Sequence, residues 1–438
     1  MPTIATDKDR DRLARALLRL LARALPDGAS VELRLAAEGG DGDATRGRTQ
    51  IVLGGPDAVS RLLWPPTPTS LAEAFLRGDL DIDGDINAAL EAGERLALGR
   101  LGWADRRRLL RGMLRLRAGA APAPALHRVS HLQGARHSPA RDLAAVRFHY
   151  DVGNDFFALW LDRRLVYSCA YFDGVDAGHP EARLDAAQES KLDLICRKLR
   201  LQPGWRLLDI GCGWGGLVVF AAERYGVEAV GITLSEPQAA YARTAAERAG
   251  VAKRVRVEVR DYRDLAGLHS FDAVASVGMV EHVGRARLAR YFEAAYGALR
   301  PGGLFLNHGI ATTEAGRRRT LQFRPRGGDF VGRYVFPDGE LVPVPETLAC
   351  ARAAGFEPLH VQSLRPHYAL TLAAWVRRLE DHSTEARRLV GEEVYRTWRL
   401  YMAAARRGFE SGALDIVQLL LARPSANRPA EVPLRPWW

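Results

Sequence analysis

The string LLDIGCGWGG at 207–216 sets Asp209 and three alternating glycines, Gly211, Gly213 and Gly215, directly after an apolar run. Glycine has no Cβ, so such a loop turns sharply and lets a ligand approach main-chain N–H groups. A strand before it and a helix after it give the loop its meaning. Its GxGxG spacing differs from the GxGxxG fingerprint of dinucleotide sites. Further on, GITLSEPQ places Thr233, Ser235 and Gln238 at the end of a second strand, and RDYRDL places Asp261 and Tyr262 after a third. These residues are suited to hydroxyl groups and to an aromatic base, respectively.

Six strings occur in a definite order: HYDVGNDFF at 149–157, YSCAYF at 167–172, the glycine loop, VGMVEHVG at 277–284, NHGI at 307–310 and HYALTL at 367–372. The glycine loop resembles the S-adenosylmethionine loop of the seven-stranded methyltransferases, which faces a methionine moiety and ribose. The set as a whole resembles the cyclopropane-fatty-acyl-phospholipid synthases and their mycolic acid cyclopropane synthase relatives. That resemblance runs from Val146 to Arg423, and more weakly through SLAEAFLRGDLDIDGD at 70–85. It implies S-adenosyl-L-methionine bound by Tyr167, Ser168, Asp209, Gly211, Gly213, Gly215, Thr233, Ser235, Gln238, Asp261 and Tyr262. The acidic residue that methyltransferases commonly offer to the ribose is replaced here by Thr233, Ser235 and Gln238, with Glu236 adjacent.

The chemistry implied by the resemblance is demanding. An isolated alkene must attack the sulfonium methyl directly, which leaves a carbocation in an acyl chain, and loss of a proton then closes a cyclopropane ring. A free carboxylate base is costly to keep charged in an apolar tunnel. In the family the base is a bound bicarbonate, and its pocket matches Cys169, Glu281, His308, Ile310 and Tyr368. Tyr150, Phe156, Phe157 and Tyr171 offer ring faces to a cation. Each residue also has a plainer reading: a buried thiol, a core histidine, a helix-capping glutamate, or aromatic packing. One position departs from the family, with Ala405 in YMAAARRGF where relatives often carry cysteine. Relatives that end in a methylene or methyl branch share the other residues, so that product stays open beside the ring. A small-molecule or RNA methyltransferase and a non-catalytic lipid-binding relative are further readings. No RNA-binding motif is legible.

The elements that must position these residues follow from the pattern. From Pro203 onward strands and helices alternate, which implies a parallel sheet. Strands are expected at 206–210, 229–232, 255–259, 271–276, 304–308, 358–363 and 417–422, with a helical insertion at 368–411. The fold class is α/β: a seven-stranded Rossmann-like methyltransferase domain with a smaller N-terminal α/β domain. The expected boundaries are 1–120 for the N-terminal domain, 121–145 for a linker, 146–424 for the methyltransferase domain and 425–438 for a tail. In the first domain, 31–35 and 49–53 alternate as strands, and SLAEAFLRGDLDIDGDINAAL reads as two helices joined by a turn.

Four scattered cysteines without a CxxC pair exclude a zinc or disulfide framework, so no metal is expected. No stretch suits a signal peptide or a membrane span. The net charge of +10 favours an anionic surface. The segment ADRRRLLRGMLRLRAG at 104–119 groups Leu109, Leu110, Met113 and Leu114 among six arginines, a composition suited to lying on a membrane. The expected setting is the cytoplasm, at the inner face of the membrane. The expected partner is an unsaturated phospholipid in an anionic bilayer, with no nucleic acid. A structural or homodimer contact is the alternative role for this helix.

Overall fold

The structure, a computed structural model, describes residues 6–26, 30–36, 48–63, 67–118, 120–174, 179–265, 271–316, 330–425 and 428–438. They divide into two compact units. The first takes the described residues within 1–129, 330–335 and 390–407, and the second those within 130–316, 336–389 and 408–438. Residues 390–407, grouped by sequence pattern with the insertion of the second domain, thus belong to the first unit. The helix Ser383–Glu410 is interrupted at Gly391, whose φ of 79° and ψ of 166° are not helical. Beyond that break, Arg396 donates to Asp81 (3.2 and 3.1 Å) and to the Phe75 carbonyl (3.1 Å).

In the first unit, β1 (Val31–Leu35), β2 (Thr49–Leu53) and β3 (Leu80–Asp83) form a sheet, parallel and then antiparallel. The turn expected between two helices is in fact β3. The helix Pro68–Arg77 starts on a Thr67–Ser70 capping box and stops at Gly78, whose φ of 78° ends the helical run. Leu80 to Asp83 then pair with β2, and Ile82 turns inward. The arginine-rich segment is the helix Trp103–Arg117. Leu109 and Leu116 join the core with Leu17 and Leu21, and a Cβ on Gly112 would stand 2.6 Å from Leu17. Leu110 and Leu114, expected on the same stripe as Leu109, lie on the solvent side with Trp103.

The second unit is built on a seven-stranded sheet: β4 (Arg206–Ile210), β5 (Glu228–Thr233), β6 (Val255–Val259), β7 (Phe271–Val277), β8 (Leu299–Thr312), β9 (Glu357–Ser363) and β10 (Leu414–Ala422). Their order is β6-β5-β4-β7-β8-β10-β9, and β10 runs antiparallel to both neighbours. The expected strands are present, with β8 starting earlier, at Leu299. Alternation puts Leu207 in one apolar layer with Val218 and Phe220, and Leu208 in the other with Phe271 and Tyr291. A sheet covered on both faces in this way reads as an apolar run. Strand order reverses between β4 and β7, the place where such sheets bind ligands.

Candidate functional site

A cavity of roughly 1090 Å³, its open mouth included, is lined by residues that end or follow β4, β5, β6 and β7. Tyr167, Ser168, Asp209, Gly211, Gly213, Thr233, Gln238, Asp261 and Tyr262 all line it. Gly211, at φ 84°, begins the turn; its N–H and that of Cys212 both donate to the Ile232 carbonyl at 2.9 Å. A Cβ at Gly211 would meet Met279 Cγ at 3.0 Å. Two expected residues stand behind the wall. A Cβ on Gly215 would lie 2.7 Å from Ala242, so this glycine serves helix packing. Ser235 caps the helix Glu236–Arg248 by accepting the Gln238 N–H.

Thr233 Oγ1 donates to Gln238 Oε1 (2.8 Å), which leaves the Gln238 NH₂ as the group with donors to spend. A hydroxyl can accept as well as donate, so an amide here can replace the usual carboxylate. Asp261 is committed to Arg263, accepting from its N–H (2.9 Å) and Nε (2.8 Å). Asp209 Oδ1 is buried with no partner among the described residues. Burial pushes its carboxyl up to about 7 against the pull of Lys191. Lys191, also on the cavity wall, donates to Ser168 Oγ (2.8 Å) and is pushed down to about 8 by burial. Asp209 and Lys191 together offer opposite charges to a zwitterionic amino-acid moiety.

Deeper in the sheet lies a second group. Glu281 sits on the single turn Val280–Val283 after β7, and its Oε1 accepts from Ile310 N (2.7 Å). Its Oε2 is buried and unpartnered among the described residues. Burial raises this carboxyl to about 7, opposed by the Ile310 bond. His308 and Ile310, two apart on β8, share a face of the strand. The His308 ring is fully buried, and its Nε2 has no partner among the described residues. Burial, with Lys191 and Lys198 nearby, holds it well below the usual histidine range. Cys169 and Tyr368 meet at Leu364: its carbonyl lies 3.8 Å from Cys169 Sγ and accepts from Tyr368 N (3.0 Å). Leu364 N donates to Ile416, the β10 residue paired with Ile310. The Cys169 thiol is pushed far up by burial, so it is no thiolate nucleophile.

Aromatic rings connect the two groups. Tyr167 of the cavity lies 5.2 Å from Trp375, which lies 5.9 Å from Tyr368. Tyr150 lines the cavity, and Phe157 backs it against Tyr167 and Trp214. Phe156 packs behind Phe157, and Tyr171 stacks with His367. No cluster among the described residues could hold a metal ion.

Residues 137–419, which carry both groups, match the family of mycolic acid cyclopropane synthetases. The chain belongs to that family. A probable fatty acid methyltransferase of Pseudomonas putida is 39% identical over 86% of this chain and 88% of its own. One from Mycobacterium tuberculosis is 38% identical over 91% of this chain and 92% of its own. Among solved structures, the cyclopropane synthase MmaA2 from Mycobacterium tuberculosis is 34% identical, with a TM-score of 0.58 over 64% of this chain and 98% of that one. The mycolic acid cyclopropane synthase CmaA1, complexed with SAH and CTAB, is also 34% identical, with a TM-score of 0.57 and the same coverage of both chains. This cyclopropane synthetase family member is an S-adenosylmethionine-dependent methyltransferase.

Three residues of this methyltransferase escape motif reading: Lys191, Lys198 and Gln418. Lys198 Nζ donates to Gln418 Oε1 (2.8 Å), and Gln418 Nε2 lies 3.1 Å from His308 Nδ1. A signal did exist. Against an arginine-rich background the chain has only Lys8, Lys191, Lys198 and Lys253, and two of these lie seven apart on the helix Pro180–Lys198. Lysine, a compact donor that neutralises readily when buried, is hard to replace by arginine in such places.

Proposed function

We propose that this enzyme alkylates the cis double bond of phospholipid acyl chains and closes a cyclopropane ring there. The observation that carries the reading is that Glu281 Oε2, on the turn after β7, and His308 Nε2, on β8, are both buried without a partner among the described residues. Unpaired buried polar atoms are costly, and two such donors suit the chemistry of a small oxyanion. S-adenosylmethionine supplies an electrophilic methyl group when bound, and bicarbonate supplies a compact base. The residues to hold bicarbonate are Glu281, His308, Tyr368, and the backbone at Cys169 and Ile310. Glu281, held near 7 by burial, keeps a substantial protonated fraction at pH 7, and that form can donate from Oε2 while Oε1 stays on Ile310. The rings of Tyr150, Phe157, Tyr167 and Trp375 exclude water and offer electron-rich faces to developing positive charge.

A second product has its own support. The relatives that match most of the chain are named probable fatty acid methyltransferases, and Ala405 stands where relatives often carry cysteine. Lipids from a host expressing the chain, analysed by mass spectrometry and proton NMR, separate the readings. Cyclopropane protons support the ring, whereas exocyclic methylene or branch-methyl protons assign the alternative. An unchanged lipid profile from active enzyme would sink both.

The substrate chain must come from a leaflet. We assign the docking surface to the helix Trp103–Arg117, where Trp103 (72% exposed), Leu110 and Leu114 (both 51%) share a stripe with Arg107. The Arg107 guanidinium lies 4.6 Å over the Trp103 ring, so cation and apolar surface stand together. That combination fits an anionic lipid surface. No described helix is long and apolar enough to cross a membrane.

A further inference from the structure

A protonated lysine carries donors and no acceptor, and burial lowers Lys198 only to about 8, so it keeps its proton at pH 7. Lys198 is fully buried, and its Nζ meets two carboxamide oxygens, Gln362 Oε1 and Gln418 Oε1. A donor-only neighbour removes the usual ambiguity over which way a glutamine amide points. The oxygen of Gln418 must face Lys198, and its NH₂ therefore faces His308. The arrangement runs straight across the sheet, because His308 pairs with Gln418 on β10 and Gln418 with Gln362 on β9.

A carboxamide NH₂ has hydrogens to give and no lone pair to offer. His308 Nδ1, 3.1 Å away, must therefore accept. The ring proton is left on Nε2, the atom that is buried without a partner among the described residues. A charged imidazole would set N–H against N–H across this contact. We infer that Lys198 and Gln418 are positioning residues that lock His308 as the neutral Nε2–H tautomer, making it a donor to the bound oxyanion and not a proton acceptor. Burial and the nearby lysines, which oppose a charge on His308, act in the same direction. The role toward an oxyanion rests on the pocket proposed above, whereas the tautomer follows from the hydrogen bonds alone.

The test uses the full chain with ¹⁵N-labelled histidine, read by proton–nitrogen correlation around each ring. His308 is identified by the signals lost in His308→Asn or, where that variant does not fold, by cross-relaxation with the Gln418 amide. The expected wild-type result is an unprotonated Nδ1 and a protonated Nε2 across about pH 6 to 8, where a free histidine would titrate. Gln418→Glu can accept from both sides, so it should move the proton to Nδ1 or charge the ring. Its kcat should fall about tenfold to a hundredfold, as when the outer partner of a working histidine is lost, with the S-adenosylmethionine KM unchanged. A wild-type ring protonated on Nδ1, a charged ring at pH 7, or an unmoved proton in folded Gln418→Glu overturns the lock. Titration with ¹³C-bicarbonate is read separately. No binding to a wild type that shows the Nε2–H form overturns the anion pocket and leaves the lock standing.

Discussion

The cavity draws much of its wall from loops that leave β4, β5, β6 and β7, whereas the buried second group draws His308 and Ile310 from the body of β8. Loops at the carboxyl ends of parallel strands are free to vary, and ligands bind above them. A residue inside a strand is held by both neighbours, and β10 supplies the Gln418 that meets His308. The two regions therefore carry their polar groups differently. The cavity is open and its charges, Asp209 and Lys191, face it. The second group is buried: Glu281 Oε1 is held by Ile310 N and His308 Nδ1 by Gln418, while Glu281 Oε2 and His308 Nε2 have no partner among the described residues. The contrast teaches that one sheet can present polar groups to an open cavity through its loops and hold others buried within a strand, where the antiparallel neighbour supplies their partners.

The largest effects should come from the buried group. Glu281→Ala and His308→Ala should each lower kcat by about 10²- to 10⁴-fold, the range for losing a positioned donor or proton-handling group. Calorimetric affinity for S-adenosylmethionine should hardly change, since neither residue lines the cavity. Equal losses in kcat and cofactor affinity would show that the two regions are one site.

Next comes the loop. Gly211→Val adds a Cβ beside Met279 and forces a β-branched residue to φ 84°. Strain of that kind costs about 1–3 kcal/mol, and the added bulk should carry the loss in cofactor affinity to about a hundredfold. Lys191→Met removes a charged donor from the wall and should cost about tenfold. Normal affinity in folded Gly211→Val would remove this loop from the cofactor site.

A smaller effect separates the regions by pH. The Glu281 carboxyl rises from 4.5 to about 7 on burial. Its contribution to stability is therefore complete below 4.5 and is lost as pH rises through 7. Glu281→Gln cannot ionise and escapes that loss. The difference in unfolding free energy should shift toward the variant by about 1–3 kcal/mol between these limits. Asp209 titrates alike in both proteins and cancels. A difference that stays constant with pH would mean that the pocket is wetter than its burial indicates.

These contrasts also explain what was legible in the sequence. The glycine loop and the strands that flank it are local patterns, and both were read within a few residues. Cys169, Glu281, His308, Ile310 and Tyr368 were named through ordered strings, and the structure gathers them in two linked pairings, Glu281 with Ile310 beside His308, and Cys169 with Tyr368. Gly215 packs on Ala242 and Ser235 caps a helix, placements that the strings do not show because a motif does not say which members pack. β3 was missed because four residues after a glycine stop resemble a turn. The Lys198–Gln418–His308 chain was invisible because its partners are 220 and 110 residues apart and a strand register joins them. The split of the arginine-rich helix into inner and outer stripes needed the position of Leu17, which no local period supplies.

The smallest expected effect concerns that helix. Asp105, Leu109, Gly112 and Leu116 face its own unit, so the packing role is real. Arg106 is also spent at home, donating to the carbonyls of Leu101 (2.8 Å) and Gly99 (2.7 Å). Arg107, Arg111 and Arg115 are exposed on the same helix as Trp103, Leu110 and Leu114. Reversing the three to Glu should weaken binding to anionic vesicles, at about 1 kcal/mol per basic residue near the surface. Activity on those vesicles should fall with it, while activity on detergent-dispersed lipid survives. Raised salt should imitate the variant on the wild type, because screening shortens electrostatic reach to about 8 Å at physiological strength and less above it. Trp103→Ala should weaken binding with little dependence on salt, since it removes apolar area and no charge. A helix that instead contacts a second copy would change sedimentation in the triple variant and lower activity on both substrates. Equal vesicle binding by the wild type and the triple variant would rule this helix out as the anchor.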